Sequence, residues 1–236
     1  MADAVSYVPI ATTVLSAGFT LAIASRWARR DRPPHLLWWT AGVALFGVGT
    51  FMEGFTAVFG WHAAVFRAWY ISGALLGGAP LAQGTVYLLL DRKVANRLAI
   101  ALVTYVSLAS VFVLLTPLNS DLANDSKLNG DVIEWTWVRG FSPLVNTYAF
   151  IFLVGGAVVS VMRYRKLNDG RRAAANILIA VGAILPGIGG SFTRAGHTEV
   201  LYVTEFVGVI LIYLGYHLST TTRAQPCVIG ASEVPA

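Results

Sequence analysis

Seven apolar stretches, at about 5–25, 36–59, 65–90, 97–116, 143–162, 173–193 and 200–218, take up most of this chain and leave it few ways to fold. Each is long enough to cross the hydrocarbon core of a bilayer as a helix, which takes roughly 20 residues. Lipid offers no partner to a bare N–H or C=O, so such stretches must satisfy their backbones internally, as helices. Only 12% of the residues are charged, against about 25% in soluble domains. The reading is an all-α polytopic membrane protein: a seven-helix bundle over residues 1–222 and a short tail, 223–236.

The charges orient the bundle. Apart from Arg67, Lys127, Arg139 and Arg194, every Lys and Arg falls in RWARRDRPPH, DRKVANR, RYRKLNDGRR or the tail, which follow the first, third, fifth and seventh stretches. The alternate connections are GWHAAV, an acidic segment over 116–140, and TRAGHTE. Basic residues gather on the cytoplasmic side of short loops. The N-terminus is therefore expected outside and the C-terminus in the cytoplasm, in a cell membrane, with a bacterial inner membrane as the setting. The basic pI of 9.6 reports this topology and does not call for nucleic acid. The leading MADAVSYV lacks the basic start of a signal peptide, so the first stretch reads as a span. The single cysteine, Cys227, excludes an intramolecular disulfide and a cysteine metal cluster.

The acid Glu53 sits inside the lipid-soluble run GTFMEGFTAVFGW, and Glu205 inside the last stretch. Small residues at helical spacing mark faces where helices approach closely in lipid. Gly42, Gly49, Thr56 and Gly60 share a stripe with Glu53, and Gly208 and Gly215 share one with Glu205. Both acids are thus expected to point into the bundle, at similar depths roughly 5–7 Å from the midplane at 1.5 Å per residue. Two carboxyls at one depth would share a proton or a cation, because like charges oppose joint ionisation. Arg67 and Arg194, at the outer ends of their helices, are the expected counter-charges, and Tyr70, Tyr202 and Asn146 further polar neighbours. An intramembrane acid is by default a functional candidate; the bland alternative is an ion pair that fixes packing.

Other signals are weaker. Pro80 and Pro186 fall near mid-span and are expected to kink their helices. Gln83, one turn from Pro80, is expected either to line a cavity or to bond a freed carbonyl or a neighbouring helix. The VIEWTWV segment of the long connection alternates apolar and polar residues and reads as a lid or a short strand; Asn124-Asp125-Ser126 matches a glycosylation sequon. Retinal is excluded, since Lys93, Lys127 and Lys166 all lie in connections and a Schiff base needs a membrane lysine. Haem would need histidines on facing helices, from His35 and His217 at one surface or His62 and His197 at the other. His62 and His197 with Glu199 and Glu205 are the weak candidates for a zinc site. No GxSxG or phosphate-loop pattern is present.

The stretches FRAWYISGALLGGAPLAQGTVYLL and ILPGIGGSFTRAG resemble uncharacterised bacterial seven-helix membrane proteins, with a rhodopsin-like topology but without the retinal lysine. That resemblance implies the fold and a membrane location. The topology also resembles the membrane sensor half of some bacterial histidine kinases. The expected function is a non-enzymatic binding or sensing module with an outward-facing polar pocket around Glu53 and Glu205. A sensing role would act through the bilayer and another membrane or signalling protein. The alternatives are a small proton- or cation-coupled transporter or channel, and a haem protein or metal hydrolase.

Overall fold

The computed structural model describes residues 4–124, 127–193 and 196–221. Helix accounts for 86% of it and no strand forms among the described residues, so the protein is all-α. Among the described residues six helices are long and apolar enough to cross a membrane: Val5–Arg29, Pro34–Phe59, Arg92–Leu115, Thr136–Lys166, Gly170–Thr193 and Thr198–Thr220. They make this an integral membrane protein. In chain order the α-helical elements are α1 (Val8–Arg29), α2 (Pro34–Phe59), α3 (Ala63–Trp69), α4 (Ala79–Leu89), α5 (Arg92–Leu115), α6 (Phe141–Phe150), α7 (Gly156–Lys166), α8 (Gly170–Thr193) and α9 (Thr198–Thr220). A 3-10 turn, Ala4–Tyr7, leads into α1. Arg194, the last two sequon residues and the tail with Cys227 lie outside the described residues.

The stretch expected as a third span, 65–90, is not one continuous helix. After α3 the chain widens into a π-helical turn, Tyr70–Leu75, and the Leu76 amide reaches back five residues to the Ile71 carbonyl at 3.1 Å. Gly77 and Gly78 then break the helix, and α4 begins at Ala79. Pro80 therefore occupies the first turn of a new helix, where a missing N–H costs nothing. This corrects the expectation of a mid-span proline kink there. Pro186 does lie within a helix, α8, which continues on both sides of it. A second π-turn, Ile151–Gly155, joins α6 to α7 with no proline to announce it.

Packing follows the glycines. An ideal Cβ at Gly182 of α8 would stand 2.6 Å from the Gly208 carbonyl of α9, and one at Gly215 would stand 2.6 Å from the Ala175 carbonyl. Spaced by seven residues on each helix, these contacts run antiparallel and let the two backbones touch. The same device joins α2 to the broken helix: Gly42 meets the Leu81 amide, and Gly49 meets the Gly73 Cα, 3.2 Å from an ideal Cβ. Gly60 is different, because it ends α2 at φ 84° instead of packing in the stripe. Contacts then close a ring from α1 through α2, the broken helix, α6 with α7, α8 and α9 back to α1, with α5 packed on its outside. Val14, Leu21, Ile100, Leu108 and Leu144 are among the large apolar side chains left exposed on the outer surface, as a lipid-facing wall requires.

One end of the bundle carries the long connection between α5 and α6. It is a lid and not a strand: 3-10 turns at Ser120–Leu122, Gly130–Val132 and Thr136–Gly140 replace any ladder. Leu128, Val132, Ile133 and Val138 drop into a core with Phe66, Trp69, Tyr70 and Val113. Neighbours Val132 and Ile133 are both buried, so the alternating pattern of VIEWTWV does not describe its exposure.

Glycine is placed here for contact and not for flexibility, which gives a clear sign test. Gly182→Ala should lower the unfolding free energy in detergent by about 1–3 kcal/mol through overpacking. Gly190→Ala, on the same helix with open space at its Cβ, should leave stability unchanged or raise it by about 0.5–1 kcal/mol through helix propensity.

Candidate functional site

The glycine contact between α2 and the π-turn brings an indole to the first acid. Trp69, the last residue of α3, donates from Nε1 to Oε1 of Glu53 at 2.8 Å. Glu53 is 2% exposed, and burial of a carboxyl with no donor would cost several kcal/mol. The second acid comes from α9, which packs on α1 and shares a buried cluster with α1 and α2. The carboxyl groups of Glu53 and Glu205 lie within hydrogen-bonding reach of each other. Their Oε2 atoms are both buried without a hydrogen-bond partner.

Tyr202 stands one turn from Glu205 on α9, close enough to both acids to interact with them electrostatically. The side chain is 1% exposed and its hydroxyl is unpartnered. A further turn toward the lid, Glu199 takes a salt bridge from Lys127 at 2.7 Å, while its own Oε2 is buried and unpartnered. Residues 199, 202 and 205 share a helix face by their three-residue spacing. The result is a polar column that descends from the lid at Lys127 through Glu199 and Tyr202 to the paired acids.

On the other side of the pair, α1 and α2 carry polarity one turn further. Thr13 and Thr50 hydroxyls bond at 2.9 Å, and the Ser16 Oγ is buried without a partner. Beyond that the space between α1, α2 and α9 is closed by an apolar cluster containing Phe19, Ile23, Leu36, Val43 and Val209. Polar groups therefore reach the acids from the lid end and stop at an oily plug.

The remaining expected site residues are dispersed. Arg67 is not a counter-charge for the acids: its guanidinium donates to the Thr116 carbonyl at 3.0 Å, and it forms no salt bridge among the described residues. That carbonyl follows the end of α5, a partner that sequence depth does not reveal, and the Arg67 Nε stays buried without a hydrogen-bond partner. Arg194 falls outside the described residues. Tyr70 lies in the apolar core under the lid and accepts from Ser142 Oγ at 3.2 Å. Asn146 is exposed on the outer face of α6 and does not join the acids, because the face of α6 that packs inward carries Val145 and Ala149. His62 is exposed and held to the Gly60 carbonyl, and His197 is exposed at the start of α9. Among the described residues no three His, Cys, Asp or Glu side chains are grouped to hold a metal, which corrects the zinc candidate. Gln83 bonds neighbouring helices: its Nε2 donates to the Ala95 carbonyl at 2.9 Å and its Oε1 accepts from Tyr148.

The sequence reading missed Trp69 and the pairing of Lys127 with Glu199. A tryptophan within an apolar run, with an N–H that must find an acceptor when buried, was the available signal for the first. The second spans 72 residues, and no local pattern foretells it. No family model, curated protein or solved structure matches the chain.

The Trp69 bond is testable. Trp69→Phe removes the donor and keeps most of the ring's bulk, so unfolding should become easier by about 1–3 kcal/mol. In a Glu53→Leu background the same change should cost much less. Equal losses in both backgrounds would assign the effect to ring packing.

Proposed function

We propose that this protein is a membrane-embedded binding module whose site is the Glu53–Glu205 pair, and whose ligand is a small cation that exchanges with a shared proton. The carrying observation is the set of unpartnered buried oxygens on Glu53, Glu205 and Tyr202, with no salt bridge to the acid pair among the described residues. Each such group costs about 1–3 kcal/mol when left unsatisfied. Two facing carboxyls cannot both ionise comfortably without a positive partner. A proton on one of them gives the empty state a hydrogen bond, and a cation at the same place would take its charge.

In the same reading the segment 63–89 makes a seventh crossing, and the lid end faces outside, with the basic loops in the cytoplasm of a bacterial cell. The ligand then arrives from outside along the Glu199–Tyr202 face. The apolar cluster around Phe19 and Val209 favours a dead-ended binding or sensing site over a transporter, whose ion would need a polar exit on the other side. A sensor of this kind would pass its signal to a second protein.

The test is proton release. Adding Na⁺ or K⁺ to the protein in weakly buffered detergent should release protons, at no more than one per chain. Glu53→Gln and Glu205→Gln should each abolish the release. Infrared difference spectra should show one protonated carboxyl band in the wild type, bleached by the cation and missing in one of the two variants. A wild type with no cation-linked proton release and no titrating carboxyl band would sink the reading. Cation flux into liposomes at rates that depend on Glu53 would replace it with the transporter.

A further inference from the structure

At the opposite end of the bundle a second site is built from different residues. A cleft of about 410 Å³ opens between the ends of α1 and α9, lined by Ala22, Ser25, Arg26, Arg29, Arg30 and Thr220. Three guanidiniums line it and, among the described residues, no acid does. None of the three belongs to a salt bridge among the described residues. Arg26 is braced over the Tyr216 ring at 5.6 Å, which fixes one guanidinium at the wall. The hydroxyls of Ser25 and Thr220 donate back to the Leu21 and His217 carbonyls, so the arginines supply the donors.

A basic helix end needs no ligand by itself, since the C-terminal dipole of α1 already favours cations. The dipole does not explain why Arg26 and Arg29, at i and i+3 on α1, and Arg30, where the chain turns extended just past its end, crowd one recess, since like charges so close together repel. An anion in the recess removes that repulsion. The guanidinium fork matches the oxygens of a phosphate, to which it bonds in pairs. We infer that the cleft between the ends of α1 and α9 holds the phosphate of an anionic lipid headgroup.

The lipid source, as against free phosphate, follows from what adjoins the cleft. Val14, Leu21, Ser25 and Arg29 fall on one face of α1 at spacings of seven and four, and Val14 and Leu21 are 70% and 68% exposed. An acyl chain lying along that apolar face would end with its headgroup at the arginines. Basic recesses between membrane helices at the headgroup level are suited to anionic lipids.

The experiment follows the unfolding midpoint of the full chain, stripped of lipid in an uncharged detergent, through its tryptophan fluorescence. Phosphatidylglycerol, phosphatidylcholine and inorganic phosphate are added separately. Phosphatidylglycerol should raise the midpoint in a saturable way, and the other two should not. The variant R26Q/R29Q/R30Q should keep less than about half of that rise, by the linkage of ligand binding to stability. The variant R163Q/R165Q/K166Q, which removes as much charge from α7, should keep nearly all of it. If the first triple variant does not fold, Arg29→Gln alone, at an exposed position, should weaken the apparent affinity for phosphatidylglycerol several-fold. An unchanged rise in R26Q/R29Q/R30Q, or equal losses in both triple variants, would overturn the site. A rise with inorganic phosphate equal to that with phosphatidylglycerol would overturn the lipid as its occupant.

Discussion

Helices in lipid gain nothing by hiding oily surface from one another, so their association depends on how closely backbones can approach. In this bundle the approach is made at glycine: Gly182 and Gly208 between α8 and α9, Gly42 and Gly49 between α2 and the broken helix. The contact of Gly49 with Gly73 has a chemical consequence. It holds the π-turn against α2, and Trp69, the residue just before that turn, donates to Glu53. A bulkier residue at Gly49, where an ideal Cβ already stands 3.2 Å from the Gly73 Cα, would press the two elements apart and strain the bond from Trp69. Packing and site are therefore one arrangement, and the π-turn is its hinge point, as π-turns often are at functional sites.

The acids sit in an environment that is polar in one direction only. Toward the lid each turn of α9 offers an oxygen, and the last of these is tied to the lid by Lys127. Toward the basic end, Thr13, Thr50 and Ser16 give one more polar turn before aromatic and aliphatic side chains close the space. This polarity gradient is the physical basis for reading a one-sided site. The lid contributes by burial as well: Leu128, Val132 and Ile133 are buried in one core with Trp69. Buried polar oxygens in a low-dielectric interior are costly unless partnered, so the acid pair and Tyr202 are the most demanding groups in the bundle.

Much of the architecture was legible along the chain because one periodic signal dominates it. Apolar runs near 20 residues, basic connections on alternate ends and glycines at heptad spacing each follow from local rules, and the buried face of α2 was predicted from Gly42, Gly49, Glu53 and Thr56. The juxtaposition of Glu53 and Glu205 followed from comparing depths. The breaks did not read so well. Pro80 drew attention as a kink, whereas the chain breaks at Gly77 and Gly78 just before it, and the π-turns at 70–75 and 151–155 carry no residue that hydropathy would notice. The lid's alternating pattern misled for a similar reason: in 3-10 turns side chains do not alternate between two faces.

Composition and spacing alone determined that this chain enters a membrane as helices, which faces of those helices meet, and that two acids would be enclosed, because each depends on residue type and helical period. Only the tertiary structure decided the partners. Arg67 could have turned to the acids or to the lid end, and the carbonyl of Thr116 drew it away. Trp69 reached Glu53 from the end of α3, and Lys127 found Glu199 across 72 residues. Those choices depend on distances between elements far apart in the chain, and a one-dimensional pattern carries charge and period but no such distance.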